Sequence, residues 1–169
     1  MKLYKLTDSN GCTRNNTQWG PGITHRGTGK GDLCGPGWIH TYTHPLLAVL
    51  LNPIHANFNE PRLWEAEGEI GREDELKIGC VALTTIKEIE IPKVTTEQRI
   101  AFGILCVLEV YKGKIPKWER WAEDWLSGRN RSRAVARAAA EAAGLAKKNL
   151  NLIALAEKSI GDEQKWISN

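Results

Sequence analysis

Hydrophobic and polar residues alternate over residues 63–70, a pattern typical of a half-buried β-strand. In this segment Trp64, Ala66 and Ile70 fall on one face, which is expected to be buried. Residues 3–7 and 38–43 are rich in aromatic and β-branched side chains and are also predicted to be strands. Two further extended segments are predicted over residues 78–83 and 86–91.

Helical patterns occur between the second and third strands and again after residue 94. Pro45 suits the first turn of a short buried helix that continues through Leu51 and is expected to stop at Asn52-Pro53. Thr95 and Gln98 form a capping box ahead of a helix whose apolar residues cover nearly its whole circumference. Three tryptophans then recur at helical spacing, and two further helices are predicted over residues 133–143 and 150–160. The tryptophans are Trp118, Trp121 and Trp125.

This order of elements predicts an α+β fold, with a small antiparallel β-sheet, a buried central helix and a helical C-terminal extension. We expect residues 1–113 to form a ligand-binding core and residues 114–169 to form the extension.

Composition agrees with one soluble domain and a small appendage: 169 residues, 41% hydrophobic, 25% charged, net charge +3. The longest apolar run, residues 100–108, is far shorter than the roughly 20 residues of a membrane-spanning helix.

The first residues lack the apolar stretch of a signal peptide, so we expect a cytoplasmic protein. Its four cysteines form no Cys-x-x-Cys pair and are expected to be reduced thiols.

Charge is unevenly distributed, with balances of +2, −3 and +4 over residues 1–60, 61–94 and 95–169. Four arginines without an acidic residue between them account for much of the basic tail. They are Arg129, Arg131, Arg133 and Arg137. Because like charges repel at helical i, i+4 spacing, an anionic ligand is one expected compensation. The alternative is that these arginines are solvated or pair with nearby acidic residues, namely Glu119, Glu123, Asp124 or Glu141.

Seven glycines fall between Gly20 and Gly37, so this segment is predicted to be a loop. Lys30 is followed by Gly31 rather than Ser or Thr, which argues against a nucleoside-triphosphate loop. Trp19, His25, Arg26 and Lys30 together could stack on a base and contact phosphates. A surface loop with incidental charges is the alternative.

Metal and acid–base motifs are weak. His40 and His44 share a His-x-x-x-His spacing, but along an extended chain they would lie about 13 Å apart. No metal and no cofactor is therefore expected. Glu65, Glu67 and Glu69 point the same way from one strand, which suits a general acid or base but equally a solvated strand face.

The segments Leu3-Tyr4-Lys5-Leu6-Thr7-Asp8, Leu33-Cys34-Gly35-Pro36-Gly37-Trp38-Ile39-His40 and Leu63-Trp64-Glu65-Ala66-Glu67-Gly68 follow one another in that order, with Trp19 in a loop. This succession resembles small phage and prophage proteins, among them the first Thoeris anti-defence family, over about residues 1–112. The resemblance implies a sponge that binds cyclic ADP-ribose signals made by bacterial TIR-domain enzymes, without cleaving them. It also implies a homo-oligomer, with hexamers in that family.

We therefore expect a non-enzymatic phage anti-defence protein of the host cytoplasm that sequesters a cyclic nucleotide, either a cyclic ADP-ribose isomer or a cyclic oligonucleotide. Aromatic or guanidinium planes would hold the base, and arginines with loop amides would bind the diphosphate. The predicted ligand-binding residues are Trp19, Arg26, Trp38, His40, Arg129, Arg133 and Arg137. No catalytic residue is expected.

Two other classes of function stay open. Residues 35–43 also resemble the central strand of ADP-ribosyltransferases, which would make Glu65 or Glu67 a catalytic candidate and NAD the substrate. The first strand, however, offers only Tyr4 and Lys5 where that family has an arginine or histidine. Nucleic-acid binding through the arginine cluster would be strongly salt-dependent, and the net charge of +3 makes it the least favoured.

Overall fold

A computed structural model describes residues 1–129 and 150–161 of the protein. These residues form a mixed α+β fold with four α-helices, a five-stranded antiparallel sheet and a separate two-stranded ribbon. The chain divides into two compact units, Met1–Pro92 and Lys93–Asn169. The predicted fold class is confirmed.

The first unit contains every strand of the described residues. They are β1 (Leu3–Thr7), β2 (Cys12–Thr13), β3 (Thr17–Gln18), β4 (Thr24–Arg26), β5 (Ile39–Thr41), β6 (Arg62–Glu73) and β7 (Ile78–Ile89). The sheet runs in the order β1-β6-β7-β4. Strand β5 also pairs with β7, over residues 78–80, whereas β4 pairs with residues 82–84 of the same strand. An isolated bridge between Tyr4 and Tyr42 links β1 to the residue after β5. The sheet therefore curls until its first strand meets the chain that leaves β5.

Strands β6 and β7 form a long hairpin at the middle of this sheet. The two extended segments predicted over residues 78–83 and 86–91 are one continuous strand, β7. The register between β6 and β7 shifts after Glu65 and again around Ile70. Residues 67–73 of β6 are all exposed, because this end of the strand extends past its buried part, and Ile70 itself is 39% exposed. The expectation that Ile70 is buried with Trp64 and Ala66 is therefore wrong.

Helix α1 (Pro45–His55) packs against β1 and has Pro45 in its first turn, as predicted. The His44 side chain caps it by accepting a hydrogen bond from the Leu46 amide. The predicted stop at residue 52 is wrong, because Pro53 lies in the last turn and the helix continues to His55. The Asn52 side chain holds the chain that follows, through hydrogen bonds of 2.9 and 3.0 Å to the backbone of Phe58.

The second unit is helical in its described part: α2 (Thr96–Tyr111), α3 (Pro116–Leu126) and α4 (Leu152–Ile160). The predicted capping box at Thr95 and Gln98 is confirmed. Helix α2 contacts both α3 and α4, and its Ala101 and Ile104 pack with Trp125 of α3 in one apolar cluster. Because α2 packs with these helices, the compact units divide at Pro92, whereas the sequence suggested a division at residue 113. The helix predicted over residues 133–143 lies outside the described residues.

No helix in the described parts of the chain is both long and apolar enough to span a membrane.

Candidate anion-binding cleft

A cleft of about 930 Å³ lies in the first unit, lined by strands β1 and β5, the β2–β3 ribbon, β4 and the end of α1. Its lining is rich in basic and aromatic side chains, and none of the described residues that line it is Asp or Glu. The basic members are Lys5, Arg14, His25, Arg26, His40, His55 and Lys77, and the aromatic members are Trp19, Trp38, Tyr42 and Phe58. This chemistry suits an anion that also carries a flat ring.

Lys5 is the most deeply buried cation of the cleft. It alternates with Leu3 and Thr7 on the inner face of β1 and is only 8% exposed. Its Nζ donates a 2.9 Å hydrogen bond to the His40 carbonyl and lies 5.3 Å from the centre of the Trp19 ring. Burial lowers the pKa of Lys5 to about 8, since desolvation disfavours the ammonium. No carboxylate of the described residues forms an ion pair with it.

Trp19 fixes one wall of the cleft. The residue is 3% exposed, and its Nε1 donates a 2.9 Å hydrogen bond to Thr13 Oγ1. The His25 ring meets it edge-on at 4.6 Å between ring centres. These contacts hold the indole in one orientation beside Lys5.

His40 is oriented by the loop before β5. Its Nε2 is hydrogen-bonded to the Leu33 carbonyl, which can only accept, so Nε2 carries a proton and Nδ1 is the free acceptor of the neutral ring. Burial is the largest influence on the pKa of His40 and lowers it; the hydrogen bond to Leu33 and the charge of Asp74 oppose this shift, and the ammonium groups of Lys77 and Lys5 add to it. The ring is therefore neutral at pH 7.

Tyr42 and His55 form a stacked pair near the end of α1. The phenol oxygen lies 3.0 Å from His55 Nδ1, and the ring planes are 14° apart. Burial raises the pKa of Tyr42 and lowers that of His55 to about 4. Both rings are uncharged near neutral pH.

Arg14 and Arg26 are the exposed cations of the cleft. Arg14 follows β2 at the turn of the β2–β3 ribbon, and Arg26 ends β4. Neither guanidinium forms an ion pair with any described residue. Their bidentate donors are therefore available for phosphate or carboxylate oxygens.

Trp38 packs on two glycines of the central hairpin. A Cβ atom added at Gly71 would lie 2.4 Å from Trp38 Cζ3, and one added at Gly79 would lie 3.1 Å from Trp38 Cβ. Trp38 Nε1 also donates a 3.1 Å hydrogen bond to the Gly31 carbonyl. The glycines of β6 and β7 thus make the space in which this indole lies.

Four of the seven predicted ligand-binding residues line this one cleft: Trp19, Arg26, Trp38 and His40. Arg129 belongs to the second unit, where its Nη2 lies 2.7 Å from Asp124 Oδ1, the pairing that the sequence left open. Arg133 and Arg137 lie outside the described residues.

The other candidates from the sequence have structural partners elsewhere. Glu65 forms ion pairs with Lys2 and Lys87, which lower its pKa, and neither Glu65 nor Glu67 lines the cleft. His44 caps α1 instead of pairing with His40. The described residues contain no group of three His, Cys, Asp or Glu side chains placed to hold a metal ion.

Sequence reasoning missed Lys5, Arg14 and His55 as members of the site. One usable signal existed for Lys5, because a lysine that alternates with Leu3 and Thr7 falls on the buried face of its strand. Arg14 and His55 carried no local signal, since only the tertiary fold brings the ribbon and the end of α1 to β1.

Comparison with protein-family models, with curated proteins and with solved structures finds no match.

Proposed function

We propose that this protein binds a nucleotide-type anion in the cleft of its first unit and sequesters it without altering it. The observation that carries the proposal is the lining itself: four Lys and Arg side chains and three indole or phenol rings, with no acidic side chain among the described lining residues. Such a lining attracts negative charge and presents flat surfaces to a base. Its volume of about 930 Å³ lies within the usual range for small-molecule sites.

The ligand class comes from the resemblance to Thoeris anti-defence proteins. We propose a cyclic nucleotide immune signal, with a cyclic ADP-ribose isomer first and a cyclic oligonucleotide second. The protein would act in the cytoplasm of a bacterial host as a homo-oligomeric sponge, a hexamer if the resemblance extends to assembly. It needs no cofactor for this role.

The phosphates would be bound by Arg26, Arg14 and the Lys5 ammonium, all of which line the cleft. Charge-assisted hydrogen bonds from guanidinium groups are among the strongest available to a phosphate. The base would stack on the Trp38 indole, since Trp19 is only 3% exposed.

The test incubates the protein with a cyclic ADP-ribose isomer, removes free ligand, and then unfolds the protein by heat. We expect intact ligand in the released fraction, measured by mass spectrometry, and a native mass that gives the assembly with its bound ligand. Arg26→Ala should weaken binding roughly 10- to 100-fold, because one charge-assisted hydrogen bond contributes about 1.5–3 kcal/mol.

Arg129→Ala is the matched comparison, since Arg129 is exposed and already paired with Asp124 in the second unit. If Arg129→Ala weakens binding as much as Arg26→Ala does, the cleft is not the site. Absence of any retained ligand contradicts the sponge function. Ligand that is retained but recovered in altered form, or nicotinamide released from NAD, would instead favour the ADP-ribosyltransferase alternative.

A further inference from the structure

Lys5 differs from the exposed lysines of the same sheet. Lys2, three residues earlier, is 59% exposed and pairs with Glu65 at 2.9 Å. Lys87 is 64% exposed and pairs with the same carboxylate at 3.4 Å. Lys5 instead lies inside the cleft, against an indole ring and a carbonyl oxygen. A buried amine without a carboxylate partner is poorly stabilised as an ammonium.

We propose that Lys5 is a nucleophilic amine and that the cleft captures anionic aldehydes or ketones as imines at Lys5 Nζ. This activity is separate from the non-covalent nucleotide binding proposed above and does not depend on it.

The bond changes require nothing beyond the amine and the carbonyl compound. The lone pair of neutral Lys5 Nζ attacks the carbonyl carbon, and a C–N bond forms. The protons lost from nitrogen are transferred to the carbonyl oxygen, which leaves as water, so a C=N bond remains. No electron is gained or lost, and hydrolysis reverses the reaction.

Three features of the cleft favour this reaction. The hydrogen bond from Nζ to the His40 carbonyl holds the nitrogen in place. Arg14 and Arg26 line the same cleft and would hold the anionic group of the ligand. Burial also leaves a larger share of this amine unprotonated than an exposed lysine has, and desolvation is one way in which nucleophilic lysines are activated.

Lys5 and the exposed lysines differ in the fraction of each side chain that is a free amine, and this difference can be measured. With its pKa lowered to about 8, Lys5 carries far more free amine near neutral pH than a lysine with the ordinary value of 10.5. At about pH 7.5 the ratio of free amine is roughly 200-fold. The pKa of Lys2 is shifted the opposite way, upward, by its hydrogen bond to Glu65.

The experiment treats the full-length protein with pyridoxal 5′-phosphate at about pH 7.5, reduces the imine with borohydride, and maps modified lysines by peptide mass spectrometry. We expect Lys5 to be modified at least about tenfold faster than Lys2 and Lys87. Pyridoxal, which lacks the phosphate, should react with Lys5 more slowly if the arginines direct the anionic probe.

Lys5→Arg keeps the positive charge and removes the nucleophile, so the fast-reacting site should disappear, whereas Lys2→Arg should leave it in place. If Lys5→Arg fails to fold, the relative modification rates of Lys5, Lys2 and Lys87 in the unsubstituted protein test the proposal by themselves. The proposal is overturned if Lys5 reacts no faster than Lys2 and Lys87, or if the same preference persists in urea. Nucleotide retention is measured on the same preparation, so that either proposal can fail without the other.

Discussion

At the scale of single residues, glycines decide where the aromatic walls of the cleft stand. The Trp38 ring occupies the space that a side chain at Gly71 would need, with Cζ3 only 2.4 Å from the position of a Cβ atom. Val81 Cγ2 lies 2.9 Å from the same position, so a methyl group has contacts on two sides. Glycine at position 71 is therefore a packing requirement of Trp38.

Gly71→Ala should displace Trp38 and destabilise the first unit by about 1–3 kcal/mol, the usual cost of overpacking. The loss of stability is the change in the free energy of unfolding in urea, with hydrogen exchange of the β6 and β7 amides as the probe. Glu69→Ala, an exposed change on the same strand, should stay within about 0.5 kcal/mol. Equal stability of the two variants would show that Trp38 does not pack on Gly71.

At the scale of elements, helix α2 carries its own start signal. Thr95 Oγ1 accepts a 3.1 Å hydrogen bond from the Gln98 amide, and the Gln98 side chain accepts a 2.8 Å bond from the Thr95 amide. Two backbone donors at the helix start are satisfied by residues only three positions apart. This reciprocity explains why the helix could be predicted from the sequence alone.

Thr95→Ala should destabilise the second unit by about 1 kcal/mol, because the helix start loses its cap. The free energy of unfolding in urea, followed by circular dichroism at a helical wavelength, checks this value. Thr96→Ala makes the same chemical change one residue later, inside the first turn, and should cost much less. A cap role for Thr95 would be contradicted by equal effects of the two substitutions.

The sheet shows the limit of prediction at this scale. Strand β1 was predicted from its aromatic and β-branched residues, and all five of its residues pair with β6 in one register. The expected burial of Ile70 was wrong, because β6 extends past its buried part and the exposure of residues 67–73 depends on the tertiary packing of the sheet.

At the scale of the whole molecule, the first unit contains a cleft with a basic lining, although the basic excess of the sequence lies in residues 95–169. That cleft holds buried groups whose protonation couples to folding. His55, with a pKa of about 4 in the folded protein against 6.5 ordinarily, is the clearest example. Below about pH 6.5 the unfolded chain takes up a proton at this position and the folded chain does not.

The stability of the first unit should therefore fall as pH drops from about 6.5 to about 4, with a contribution from His55 on the order of 2 kcal/mol. Glu65 and Glu88 also lose stabilising pairs as pH falls, since their pKa values are lowered by Lys2 and Arg62. To separate the contribution of His55 from these carboxylates, the measurement compares the stability of the unsubstituted protein with that of His55→Gln. Hydrogen exchange of the β1 and β5 amides gives this stability across the pH range. The variant should show the flatter profile, and identical profiles would exclude His55 as a source of the pH dependence.

The sequence by itself determined the elements whose signals are local: strand β1, the start of α1 at Pro45, the capped helix α2 and the tryptophan stripe of α3. It also identified four residues that line the cleft, because they cluster around a glycine-rich loop. Only the tertiary structure decided that Lys5, Arg14 and His55 join them and that Arg129 pairs with Asp124. The reason is physical: local patterns fix how a segment folds, whereas the curl of the sheet brings together side chains that are distant along the chain.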